Sequence, residues 1–196
     1  MKRISTALLF LALIFPCPAT AQEHATIALS APAGLVQKAC PLPAWKYGAV
    51  VWKGVVDKRS SPEVGLQIQK NKEPLPVFSS PPIADAFNLA LGELLPACGM
   101  TLASAGSADS LTISAELREF YTGVEKKFFT GKSESRASIV FNARRGNSSS
   151  SVTVGCELEA KKVRSGNIKQ LEKAVNELFS ELLKQIPATP EMAELK

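Results

Sequence analysis

Three runs of alternation between apolar and polar residues dominate the second half of the chain. In residues 110–120, SLTISAELREF, the positions Leu111, Ile113, Ala115 and Leu117 alternate with Thr112, Ser114, Glu116 and Arg118. In residues 135–144, SRASIVFNAR, Ala137, Ile139, Phe141 and Ala143 oppose Ser138, Val140, Asn142 and Arg144. Residues 151–163 repeat the scheme, with Val152, Val154, Cys156, Leu158 and Ala160 against Thr153, Glu157, Glu159 and Lys161. Side chains of a strand point alternately to its two faces, so these runs predict a sheet with one dry and one wet face. An earlier run, YGAVVWKGVVDKR from Tyr47, is apolar, β-branched and of strand length, and ends on Asp57, Lys58 and Arg59.

Two other segments carry a helical period. Ile83, Phe87, Leu91, Leu94 and Cys98 recur every three or four residues after Ser80-Pro81, with Pro96 in the last turn and Gly99 as the stop. Ile168, Leu171, Val175, Leu178, Leu182 and Ile186 make a second apolar stripe, with Asn167 as N-cap, Gln170 three residues on and Pro187 at the end. The predicted order is β-α-β-β-β-α. The expected fold class is α+β, a four-stranded mixed sheet with two helices packed on one face, since that buries every apolar face. The first crossover makes its flanking strands parallel, and the hairpins make the others antiparallel.

The ends of the chain add a compartment. Lys2 and Arg3 precede an apolar run from Ala7 to Phe15 and the small-residue site Ala19-Thr20-Ala21, the pattern of a secretory signal peptide cleaved before Gln22. The expected organisation is a signal peptide over 1–21, an extended Pro/Ala-rich leader over 22–46, one domain over 47–187 and a polar tail over 188–196. No later segment approaches the ~20 apolar residues of a spanning helix, so a soluble periplasmic protein is expected. A lipid anchor at Cys17, making an outer-membrane lipoprotein, is the alternative; Pro16 stands where a lipobox wants a small residue, which disfavours it.

Charge excludes one class of partner. Loss of Lys2 and Arg3 takes the basic count from 23 to 21 against 18 acidic residues, a net charge of +3, and no basic block with stacking aromatics stands out, so no nucleic acid is expected. The single histidine, His24, lies in the leader. That removes the common Ser-His and Cys-His nucleophile arrangements and any Cys/His metal cluster; neither enzyme nor cofactor is expected. Cys40, Cys98 and Cys156 remain after cleavage, enough for one disulfide and one thiol in an oxidising compartment. Cys98 and Cys156 both fall on inward faces and are the favoured pair, with Cys40–Cys98 and unbridged core cysteines as alternatives.

The strand ending on Asp57-x-Arg59, Gly65 a few residues on, the helix from Ile83 to Leu95 closing at Gly99, the three strands and the final amphipathic helix together resemble the YajG-type envelope proteins of Gram-negative bacteria. The resemblance spans residues 47–187. It implies a small exported lipoprotein without an established biochemical activity, in an architecture that also serves periplasmic proteins that bind other envelope proteins. The weak lipobox and the Pro-rich 60–80 segment depart from that pattern.

Three sets of residues are candidates for a role. Asp57 and Arg59, two apart on a strand, share a face and with Gly65 are expected to fix the turn into the long 60–80 connection rather than to do chemistry, since no acid, base or nucleophile partner is assignable. Phe120, Tyr121, Phe128 and Phe129, in the lysine- and glycine-flanked connection 119–132, are the expected contact surface for an envelope protein partner, or equally a set of rings tucked under the sheet edge. Leu66, Ile68, Leu75, Val77 and Phe78 would line a small-ligand or lipid pocket between the helices and the 60–80 loop in the alternative function, or else cover the ordinary core.

Overall fold

The structure, a computed structural model, describes residues 25–29, 49–68, 73–104, 110–125, 131–163 and 168–195. The strands are β1 (Ala25–Ala28), β2 (Val50–Asp57), β3 (Gly65–Gln67), β4 (Leu75–Ser80), β5 (Leu102–Ala103), β6 (Leu111–Glu125), β7 (Gly131–Arg145) and β8 (Ser148–Val163). The helices are α1 (Ile83–Ala97) and α2 (Ile168–Ala188), followed by a 3-10 turn at Pro190–Glu194.

The four strands anticipated from the alternation are β2, β6, β7 and β8, side by side in that order. β2 runs parallel to β6, with Val50 beside Leu111 and Asp57 beside Leu117, because α1 returns the chain to the same end of the sheet. The β6–β7 and β7–β8 ladders are antiparallel. The expected four strands are corrected to eight among the described residues. The Pro-rich 60–80 stretch folds into the antiparallel β3–β4 pair, part of the leader forms β1 parallel to β4, and β5 flanks β2. Short edge strands such as β5, two residues long, are too brief to show a period.

Alternation sets the inward faces. Leu111, Ile113, Ala115 and Leu117 of β6 and Ala137, Ile139, Phe141 and Ala143 of β7 are buried, as is Val154 of β8. Val152, Cys156 and Leu158 are only partly buried because β8 lies at the sheet margin. Both helices cover the same face. Phe87 of α1 meets Phe120 of β6 edge-on at a centroid distance of 5.8 Å and Phe179 of α2 at 4.6 Å. Each ring of this kind contributes about 1.5–3 kcal/mol on burial, and the edge-on contacts add a little more. The helix stop is as expected: Gly99 takes φ +87°, the left-handed conformation a β-carbon resists. The start differs, since Ser80 ends β4 and Pro82, not Ser80, precedes the first turn. Asn167 lies outside the described residues.

Candidate functional site

β2 and β3 lie along the same edge of β6, one after the other. β2 leaves that edge at Lys58, whose N–H donates to the Leu117 carbonyl at 2.9 Å, and the chain rejoins where the Thr122 N–H donates to the Val64 carbonyl at 2.9 Å. Between these points residues 59–63 bulge away, and the edge of β6 near Phe120 has no neighbouring strand to donate to it. Arg59 fills the gap. Its Nη1 donates to the Phe120 carbonyl at 3.2 Å and the Glu63 carbonyl at 3.1 Å, and its Nη2 donates to the Pro62 carbonyl at 3.1 Å. Asp57 holds the guanidinium from the other side, accepting from Nη2 at 2.8 Å and from Nε at 3.0 Å, while its Oδ1 also accepts the Arg59 backbone N–H at 3.1 Å.

The Arg59 side chain is 5% exposed and that of Asp57 35%, so a buried cation is met by one carboxylate and three carbonyls. Burial pushes the Asp57 carboxyl up, but the hydrogen bonds and charge of Arg59 outweigh it and hold the group below its ordinary value. The arrangement is a clip that joins two collinear strands. Gly65 follows from close approach: a β-carbon there would stand 2.8 Å from the Thr122 carbonyl oxygen and 3.2 Å from Leu171 Cδ1.

A depression of about 360 Å³ lies on the clip, lined by Arg59, Ser60, Ser61, Glu63, Arg118, Glu119, Phe120 and Tyr121. Tyr121 is partly buried; that burial, together with the nearby Glu63 carboxylate, raises the phenol above its ordinary value, so the hydroxyl remains a donor at neutral pH. Tyr121 pairs across the ladder with Arg136, which lies within ion-pair range of Glu134 and Glu157. Arg118 pairs with Glu116. The site offers polar and charged contacts beside one ring.

Of the four aromatic residues expected at a contact surface, the structure corrects one. Phe120 is 1% exposed and packs on Phe87. The cause is a register shift between Leu117 and Glu119: one extra residue in β6 turns the even-numbered positions inward, so that Phe120 and Thr122 continue the buried face begun by odd-numbered ones. Tyr121 stays on the wet face, and Phe128 and Phe129 lie outside the described residues. Much of the expected connection is strand, since the β6–β7 ladder reaches Glu125 and Lys132.

Thr122, brought inward by the same shift, is fully buried, and its hydroxyl has no hydrogen-bond partner. An unmet buried hydroxyl costs about 1–3 kcal/mol. Thr122→Val, of equal shape, is therefore expected to raise the melting temperature, and a lower one would mean that the hydroxyl is satisfied.

The favoured disulfide is also corrected. Cys156 is a free thiol, its pKa pushed up to about 11 by burial and by Glu181 of α2. Cys98 is disulfide-bonded, but not to Cys156. It caps the end of α1, from which the chain runs directly into β5 on the side of β2 away from β6, whereas Cys156 sits on β8, three strand spacings or ~14 Å from β2. A disulfide requires Cα atoms within about 7 Å. Of the apolar residues considered for a ligand pocket, Leu66 and Leu75 belong to the β3–β4 pair and Val77 is buried in the core. No helix among the described residues is long and apolar enough to cross a membrane, and none of their Cys, His, Asp and Glu side chains cluster as metal ligands.

Comparison with known proteins places this architecture. The chain is similar to a solved protein of Xanthomonas campestris that carries the family model DUF330, at 11% identity and a TM-score of 0.53, over 86% of this chain and 95% of that one. It also matches a minor lipoprotein of Acinetobacter baumannii, at 13% identity and a TM-score of 0.40 over 76% and 92% of the two chains. A third match is the lipoprotein GNA1162 of Neisseria meningitidis, at 7% identity and a TM-score of 0.35 over 68% and 99%. The first of these supports a shared fold and nothing finer. None of the curated proteins matches the chain. A model described as an uncharacterized lipoprotein matches residues 48–195, which is most of the sequence; the chain belongs to that lipoprotein family.

Proposed function

We propose that the protein is a non-catalytic component of the Gram-negative cell envelope that acts by binding another envelope protein through the distal end of the β6–β7 ladder. The observation that carries this is the rigid, polar depression around Tyr121, held by the Arg59 clip and rimmed by Arg118, Glu63 and Glu119. A donor phenol among fixed charges of both signs suits a protein surface with its own mixed charges. Kinship with the YajG-type proteins belongs to the same reading and is supported by the order of the elements.

Phe128 and Phe129, which follow Tyr121 in the sequence and lie outside the described residues, belong to the contact in this proposal. Replacing both with serine is expected to abolish capture of the partner by a photo-crosslinker at Tyr121 in intact cells, with the melting temperature nearly unchanged. Loss of the fold would assign the two rings to the core, and undiminished capture would sink the reading. The same preparations test the anchor: the family favours a lipidated Cys17 as first residue and the sequence favours a mature chain beginning at Gln22, two species that differ in mass by residues 17–21 together with the diacylglyceryl group.

A further inference from the structure

β8 runs for 16 residues, against the five or six usual for a strand. It pairs with β7 along its length and has no neighbour on its other side among the described residues. Such an edge presents a row of unpaired backbone N–H and C=O groups, which soluble proteins blunt with proline, bulges, shortness or charge. From Ser148 to Lys161, short of a register shift at its end, β8 has none of the first three. It contains no proline, and its ladder is free of register shifts from the Lys132–Lys161 pair to the Arg145–Ser148 pair. From Ser148 to Cys156 it carries no charge either.

The helical layer leaves room beside this edge. A depression of about 430 Å³ lies between Ser150–Thr153 of β8 and Glu191 and Leu195. Another of about 530 Å³ lies between Leu158 and the polar side of α2, which presents Lys173, Asn176, Glu177 and Lys184.

We propose that the occupant of this edge is β8 of a second copy of the chain, antiparallel about a two-fold axis at Val152. The sequence is self-complementary in this register. Ser150 faces Val154 of the second copy and Val152 faces its counterpart, so the inward row continues across the dyad. On the outer face Ser151 meets Thr153 of the second copy, and Ser149 meets its Gly155. Charge favours the same alignment. The exposed residues Arg144 and Arg145 stand at the β7–β8 turn, and the exposed Glu157 and Glu159 lie toward the other end of β8. Antiparallel docking brings the basic turn of each copy to the acidic end of the other, whereas a dyad at Leu158 would set Glu157 opposite Glu159 of the second copy. Such an interface is isologous and closes at two.

Sedimentation velocity of the exported chain over a concentration series tests the proposal. A monomer–dimer equilibrium is expected, weakened roughly tenfold or more by Ser151→Lys with Thr153→Lys, which sets lysines opposite lysines on an exposed face. Circular dichroism should show the fold of that variant unchanged. Val152→Cys in a Cys156→Ser background should form a covalent dimer on mild oxidation, since directly opposed residues lie about 4.5–5.5 Å apart; Thr153→Cys in the same background, off the axis, should not. A chain that stays monomeric throughout, or a dimer indifferent to the lysine pair, would overturn the proposal. A monomer that instead captures a different protein through β8, with capture lost in the lysine variant, would overturn the second copy as the occupant.

Discussion

Replacing Arg59 with alanine is expected to cost about 3–5 kcal/mol, enough to leave much of a marginally stable domain unfolded at 37 °C. The loss comes from what stays behind. The carbonyls of Pro62, Glu63 and Phe120 lose their donor in a part-buried seam, and Asp57 loses the cation that holds its carboxylate. Arg59→Lys keeps the charge but cannot reach three carbonyls and a carboxylate from one planar fork, so it should recover only part of the loss. Chemical denaturation of the three chains measures both differences.

The effect should also depend on pH in a defined direction. Asp57 titrates below its ordinary value of 3.8 in the folded chain. A depressed carboxyl contributes stability that is present above the unfolded pKa and is lost as pH falls through the folded one. The stability difference between the parent and Arg59→Ala should therefore hold from neutral pH down to about pH 5 and shrink below about pH 4. A difference that grew on acidification would remove the carboxylate from the account.

Phe120→Ala is expected to cost about 3–5 kcal/mol by opening a cavity where both helices meet the sheet. The ring touches Phe87, which in turn touches Phe179, so its removal loosens α1 and α2 together. Thermal unfolding of Phe120→Ala beside the Phe128→Ser, Phe129→Ser double variant separates packing from contact. The first should melt far lower and the second close to the parent. Equal melting temperatures would show that burial of Phe120 contributes little.

The difference between Phe120 and its neighbours shows where a sequence pattern loses force. Alternation placed Leu111 to Leu117 and Ala137 to Ala143 on the inward face, and helical spacing did the same for Phe87, Leu91 and Leu94 and for Leu171 to Ile186. Each of these periods is set by the local geometry of one element. The register shift after Leu117 is different. Nothing in the residues Leu117, Arg118 and Glu119 announces an extra residue in the ladder; it arises in the pairing with β7, some twenty residues away. From there on, the inward residues are the ones that simple alternation would leave wet.

The same distinction runs through the site and the cysteines. Asp57-x-Arg59 was legible as a turn that holds itself, because residues two apart on a strand share a face. That the guanidinium would cap Phe120, 61 positions away, follows from β2 and β3 sharing one edge of β6, which only the assembled sheet decides. Cys98 and Cys156 were each rightly oriented toward the helix–sheet layer and still do not meet, because their elements lie toward opposite sides of it. The strands β1, β3, β4 and β5 were hidden for a related reason: they are two to six residues long, too short to display a period. Local sequence thus determined which way most side chains face, since that is a property of φ, ψ and spacing along one element. Which edges adjoin, where a ladder slips and which cysteines come within reach depend on contacts between distant segments, and those free energies exist only once the chain has packed.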